Sequence, residues 1–262
     1  MSVFAPAAVI GKSVGMTSAM SDAVMLFRPR LQYTSTGESQ FDAMIAWRAD
    51  LELGYLDEHG NAEWDAPDVV GGHAEFVVIN VGQHPIAELL DSLSQDTALF
   101  GVLFEGDDVA EAVQEQFENE TFNRVLIVTA VEVAEPLRGN GLGAWVVAEL
   151  VERMASPTDT LVLLHPAPAE PPASRAAELA AKRALSWYWQ QFGLKPIKHQ
   201  PEFLGAATAY GHLQRARDAL RALDEVVFPV PRSLIGVERP AQPRHTLVAE
   251  VPVPVGLRLV RD

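Results

Sequence analysis

Residues 132–150 read EVAEPLRGNGLGAWVVAEL and place three glycines, Gly139, Gly141 and Gly143, within five positions. An apolar, β-branched run, RVLIVTAVEV at 124–133, leads into them, and Val147, Leu150, Val151 and Met154 share one face of the helix pattern that follows. Such a run suits a strand buried on both faces. A strand, a bare turn and a helix in that order make an anion-binding device. Glycine lets backbone approach closely, several N–H groups converge, and the helix start carries partial positive charge.

The pattern continues on both sides. Pro157 ends the helix, and TLVLLH at 160–165 is a second buried strand. After the proline-rich PAPAEPPAS, Ser174 caps a long helix running through AAKRALSWYWQQF to Gly193, which stands where a C′ glycine belongs. Upstream, two apolar-alternating runs around DEHGN read as a hairpin, and HAEFVVINV at 73–81 as a third strand. Pro85 suits the first position of a helix carrying Ile86, Leu89, Leu90 and Leu93. Asp108 and Glu111 form a capping pair for another helix, and TALFGVLF between them reads as a short strand. Residues 205–224 look helical, and TLVAEVPVPV is a proline-punctuated strand candidate.

This order predicts an α/β (α+β) fold with a mixed, mostly antiparallel central sheet flanked by helices. Residues 1–40 form an N-terminal extension in which YTSTGESQ (33–40) reads as a loop. Residues 41–200 form the core, with a helical insertion at about 85–119. Residues 201–262 add a C-terminal helix and strands packed on that core.

Composition narrows the chemistry. With 48% hydrophobic and 21% charged residues in 262, the chain is an ordinary globular protein with a sizeable core. No cysteine is present, so thiolate nucleophiles and Cys-based metal sites are excluded. A net charge of -15 argues against nucleic acid as a partner and suits a cationic small substrate. The N-terminus lacks the basic start of a signal peptide and no window reaches the length of a membrane span, so the expectation is a cytoplasmic protein without a membrane partner. GKSVG at 11–15 spells a nucleophile elbow, but too few residues precede it for the sheet that motif needs. HQPE at 199–202 contains a proline that spoils a helical metal pair, and no metal is expected.

The glycine spacing alone admits two ligands. Gly139, Gly141 and Ala144 satisfy the G-x-G-x-x-A spacing of a dinucleotide turn, which would suit an NAD(P)-dependent oxidoreductase. That motif needs its glycines directly after the first strand and a carboxylate at the end of the second. Here AEPLR intervenes, and the second strand ends in LLHP.

Arg138-Gly139-Asn140-Gly141-Leu142-Gly143 resembles the cofactor loop of the GCN5-related N-acetyltransferases, whose signature is Arg or Gln, two residues, Gly, one residue, then Gly or Ala. RALSWYWQQFGLKPI is similar to that family's later helix, and the two blocks are separated by one helix and one strand, as in the family. The resemblance spans 124–197, and more loosely back to Phe41. It implies acetyl-CoA as co-substrate and transfer of acetyl to a primary amine, of a small molecule or a peptide, by direct attack in a ternary complex. Dimers are compatible with it. It further implies that amides of Arg138, Gly139, Asn140, Gly141, Leu142, Gly143 and Ala144 hold the pyrophosphate, and that Val133 offers backbone to the pantetheine arm and to the oxyanion. The family's tyrosine acid falls on Tyr188 or Trp189, depending on which end of the helix is aligned. Tyr188 extends a small-residue stripe, Ala177, Ala181 and Ala184, whereas Trp189 shares a face with Leu185 and Phe192 and reads as core. Glu132 and His165 are the candidate bases. The departures from the family are the insertion at 85–119 and the lack of an asparagine early on the later helix. A non-catalytic CoA-binding sensor or interaction module on the same fold is the competing reading.

Overall fold

The computed structural model describes residues 25–36, 42–55, 69–117, 121–168, 172–224 and 228–230; the DEHGN turn and TLVAEVPVPV lie outside the described residues. The long strands β1 (Met25–Ser35), β2 (Met44–Tyr55) and β3 (Val69–Asn80) form an antiparallel meander. A helical insertion follows: α1 (Ile86–Asp91), α2 (Gln95–Ala98), a 3-10 turn (Leu99–Leu103), the short hairpin β4 (Phe104–Glu105) and β5 (Asp108–Val109), and α3 (Glu111–Gln116). Then come β6 (Arg124–Val133), α4 (Leu142–Met154), β7 (Thr160–Leu164), α5 (Arg175–Gln190), β8 (Lys195–Ile197), β9 (Gln200–Ala207), α6 (Gly211–Leu220) and β10 (Phe228–Val230).

Among the described residues one eight-stranded sheet has the order β10-β1-β2-β3-β6-β7-β9-β8. The sheet is mixed and mostly antiparallel: within it β6 pairs with β7 in parallel, and every other neighbouring pair is antiparallel. The parallel pair is the one α4 bridges, as a strand–helix–strand crossover requires.

Each face of the sheet has its own core. On one side Ala49, Leu51, Phe76, Leu126 and Val128 meet Trp145, Leu150 and Trp189, all buried. On the other, Val77, Ile79, Val125, Ile127 and Leu163 meet Leu89, Leu90, Phe100 and Phe117 from the insertion. Each large side chain so buried contributes about 1.5–3 kcal/mol. This is why β6 reads as a continuous apolar run: Val125, Leu126, Ile127 and Val128 all lie under helices.

The C-terminal part crosses the α4 face as a strap. From β9 at one side of the sheet the chain runs through α6 and a 3-10 turn (Arg221–Asp224) over α4, and β10 then pairs with β1 at the opposite edge. Two polar links hold it. The Trp145 indole N–H donates to Asp224 at 2.6 Å, and Arg217 contacts both Asp224 and the buried Glu149.

Several local expectations change. β1 occupies part of the N-terminal extension, and Tyr33–Ser35, read as loop, extend this strand; β2, in register with them, supplies the hydrogen-bonding partner. β9 is an internal strand, so the boundary at residue 200 falls inside the sheet. Pro85 is the N-cap of α1 rather than its first residue. The TALF segment is helical, because Ser94 and Thr97 close a reciprocal cap around it. Asp108 is in β5 and α3 starts after Ala110 without a side-chain cap; the Asp108 carboxylate instead accepts from Val109 N–H and Gln114. No helix among the described residues is long and apolar enough to cross a membrane.

Candidate functional site

β6 and β7 start side by side and then part. Their parallel ladder runs from Arg124↔Thr160 to Val128↔Leu164, after which β6 continues five residues while the partner chain turns away at His165. The parting coincides with a bulge. Phe76 of β3 pairs with Val128 and Glu75 with Ala130, leaving Thr129 as a surplus residue, pinned by its hydroxyl donating to the Glu75 carbonyl at 3.0 Å. A bulge bends a strand and steepens its twist.

Beyond the bulge, one hydrogen bond fixes which backbone groups face the gap. Ala134 N–H donates to Gly71 O at 2.8 Å across the register pair Gly72↔Val133. In an antiparallel ladder that makes Gly72 and Val133 a non-hydrogen-bonded pair, and Ala74 and Val131 the next one. The N–H and C=O groups of Val131 and Val133 therefore point away from β3, into the gap. The Val133 carbonyl accepts from Arg138 Nε at 2.8 Å. A cleft of about 70 Å³ lies in this parting, floored by Thr129, Ala130 and Val131 and walled by Leu164, His165, Leu185 and Trp189.

The glycine loop stands at the mouth of the gap. Gly139 (φ 83°) and Gly141 (φ 78°) are left-handed, a conformation costly for any residue with a Cβ. A Cβ at Gly139 would meet nothing within 4 Å among the described residues. Gly141 is the N-cap of α4 and has no side chain to cap with, and the first turn carries no acid. The leading amides of α4 have no intrahelical acceptor, and they give this end its positive character. The exposed Asn140 stiffens the turn by donating to Leu137 O at 3.0 Å. Leu142 and Ala144 bury their side chains in the core, which leaves only their backbone for a ligand.

Tyr188 closes the other side. Its hydroxyl accepts from Ala144 N–H at 3.0 Å, reaching across 44 residues to the first turn of α4. Burial pushes its phenol above the usual range, against the lowering influence of that hydrogen bond. Tyr188, Val131 and Val133 surround Gly143: a Cβ there would lie 3.6 Å from the hydroxyl, 3.7 Å from Val131 and 3.8 Å from Val133. Trp189, the other aromatic candidate, is buried at 6% exposure against the sheet and stacks edge-on against Tyr188. The structure thus brings together Val133, the loop from Arg138 to Ala144, and Tyr188.

Glu132 is elsewhere. Side chains alternate along a strand, so while Val131 and Val133 face α4, Glu132 projects from the opposite side, where it is exposed. There it stands directly across from His73, which is half-buried and also in register with Asp50. Burial lowers the His73 pKa, the nearby Arg48 guanidinium adds to this, and Glu132, Glu75 and Asp50 oppose it. His73 stays neutral near pH 7 as a result, and sequence reasoning missed it: only strand register brings it to Glu132. Arg48 is buried beside them, donating to Asp50 at 2.8 Å and Glu75 at 3.2 Å.

His165 lines the gap itself. Burial lowers its pKa, Lys182 lowers it further, and the Glu202 and Asp96 carboxylates act in the other direction. The influence of Asp96 matters because that residue belongs to the insertion, on the far side of the sheet. A second cleft, of about 240 Å³, lies there between the insertion and the sheet, and it shares Thr129 and Ala130 with the gap. No group of metal-ligating side chains occurs among the described residues.

No family model matches the chain, and no curated protein matches its sequence.

Proposed function

We propose that the chain is an acetyl-CoA-dependent N-acetyltransferase that transfers an acetyl group to a primary amine within a ternary complex, as its resemblance to the GCN5-related N-acetyltransferases implies. The observation that carries this reading is the gap: a strand whose inward-facing backbone at Val131 and Val133 has lost its β7 neighbour leads to a helix whose N-cap, Gly141, has no side chain to cap it. A pantetheine arm is an extended amide chain and needs such a strand edge; a pyrophosphate needs such a helix start. The amides from Gly139 to Gly143 would hold the diphosphate, with Arg138 beside it; those of Arg138 and Ala144 already donate to Glu135 O and the Tyr188 hydroxyl. Val131 and Val133 would pair with the arm.

The thioester supplies an activated acetyl group. The chain must orient it, stabilise negative charge on its carbonyl oxygen, take a proton from the acceptor ammonium and return one to the leaving sulfur. Val133 N–H, facing the gap, suits the oxyanion. Tyr188 suits the protonation of sulfur by position, because its hydroxyl lies at the gap beside Gly143. His165 inside the gap and Glu132 with His73 outside it are alternative proton acceptors.

A dinucleotide-dependent oxidoreductase has less support, because a doubly wound parallel sheet would surround such a turn and this sheet is mostly antiparallel. A CoA-binding sensor remains the second reading, favoured by the placement of Glu132 outside the gap. Calorimetric titration with acetyl-CoA tests the site, and free-thiol release over an amine panel separates enzyme from sensor. Absence of both binding heat and thermal shift with acetyl-CoA would refute both readings; tight binding with no thiol release would favour the sensor. An NADH fluorescence titration checks the third.

A further inference from the structure

Given an acetyltransferase gap, the second cleft is the nearest open route for an acceptor, because it shares the lining residues Thr129 and Ala130 with the gap. The chemistry of this second cleft is one-sided. The hydroxyls of Ser94, Thr97 and Thr129 are already engaged: Thr97 donates to Leu90 O at 2.7 Å and pairs with Ser94, and Thr129 donates to Glu75 O. Among the described residues no lysine or arginine lines it, and the charged groups at the cleft are two carboxylates. Glu75 sits on the sheet floor, in register with Ala130, and Asp96 stands exposed on the insertion. Between them the wall is apolar, with Ala46, Val77, Leu93 and Ala130. Glu75 is partly neutralised by Arg48, whereas Asp96 forms no ion pair among the described residues.

A cleft with acceptors at two places, no cationic donor and an apolar middle fits a molecule with two ammonium groups on an alkyl stem. We infer that the acceptor is a small α,ω-diamine, bound with its reacting nitrogen near Glu75 and Ala130 and its second ammonium at Asp96. The inference rests on the acetyltransferase reading. Once the reacting ammonium has lost one proton to a base, its nitrogen lone pair forms the C–N bond and the C–S bond breaks; sulfur takes a proton from Tyr188, and the second proton shed by the new amide nitrogen restores the phenol. An acceptor with a carboxylate beside its amine brings that carboxylate towards Glu75 and Asp96 and is disfavoured.

The test uses the full chain and acetyl-CoA, reading free-thiol release with 1,4-diaminobutane, butylamine and ornithine. The expected order in kcat/KM is diamine first, about two- to fivefold above butylamine, with ornithine lowest, since a contact to an exposed carboxylate such as Asp96 is worth about that factor. Asp96→Asn is expected to pull the diamine-to-butylamine ratio towards one, mainly through KM. Equal rates for the two amines, or a ratio that survives Asp96→Asn, would overturn the inference while leaving the transferase reading intact. So would acetyl-CoA binding with release only for carboxylate-bearing amines. Failure of acetyl-CoA to bind at all would instead remove the reading beneath it.

Discussion

Replacing Gly143 by alanine should move stability and binding in opposite directions. Gly143 lies in the first turn of α4, and an added Cβ would sit 3.6–3.8 Å from Tyr188, Val131 and Val133, which is ordinary contact with no clash. In a helix, glycine costs about 0.5–1 kcal/mol relative to alanine. The variant should therefore melt about 1–4 °C higher, at roughly 2–4 °C per kcal/mol for a chain of this size. The same methyl occupies the space between the strand edge and the tyrosine hydroxyl that the cofactor arm would use. Inserting a carbon into a fitted contact costs about 1–3 kcal/mol, or a roughly 5- to 150-fold weaker Kd for acetyl-CoA. Differential scanning fluorimetry and calorimetric titration on the same sample read both quantities. Unchanged affinity would mean that the gap is not the cofactor path; a lower melting temperature would mean that the packing around Gly143 is misjudged.

Other outcomes follow from single side chains. Tyr188→Phe removes the hydroxyl that caps Ala144 N–H and should cost about 1 kcal/mol in urea unfolding, together with a drop in kcat of about 10- to 100-fold if the phenol is the acid. Tyr33 has a buried hydroxyl with no hydrogen-bond partner among the described residues, and burial pushes its pKa up to about 12. Because the unfolded phenol ionises near 10, stability should be full below that value and fall as pH rises towards 12; Tyr33→Phe should flatten this fall and be neutral or stabilising at pH 7. Gly72→Ala should destabilise severely, by about 3 kcal/mol or more, since its Cβ would lie 2.2 Å from the Glu132 carbonyl oxygen, a backbone atom that cannot rotate aside. Arg217→Ala should cost about 3–5 kcal/mol by leaving the buried Glu149 without its main partner and loosening the strap; chemical denaturation checks it.

The parts legible in sequence were those set by local rules. The Ser174 cap, the bare glycine turn at 138–144, and the strands at 124–133, buried over Val125–Val128, and at 160–164 all depend on neighbours a few residues away. Trp189 and Tyr188 were likewise separated by helix geometry, one facing core and the other α4. Features that depend on pairing were hidden. RVLIVTAVEV gives no sign that Thr129 is surplus, because its neighbours are apolar whichever face they take. The same surplus residue decides that Glu132 faces away from α4. His73 and Glu132 are 59 positions apart in the chain, and only register makes them neighbours.

Thr129 also sets the parity of β6. Strict alternation from Val128 would turn Ala130 and Glu132 towards α4 and send Val131 and Val133 to the polar side; the surplus residue delays the count by one and reverses both assignments. Deleting Thr129 would restore the even count without exchanging any downstream face, because Ala130 would simply follow Val128 opposite Glu75. What would be lost is the bend, and with it the reason for β6 to leave β7. The opening in the sheet is thus separable from the sheet's stability: one residue of chain length keeps it ajar, and its removal should yield a folded protein with a closed seam.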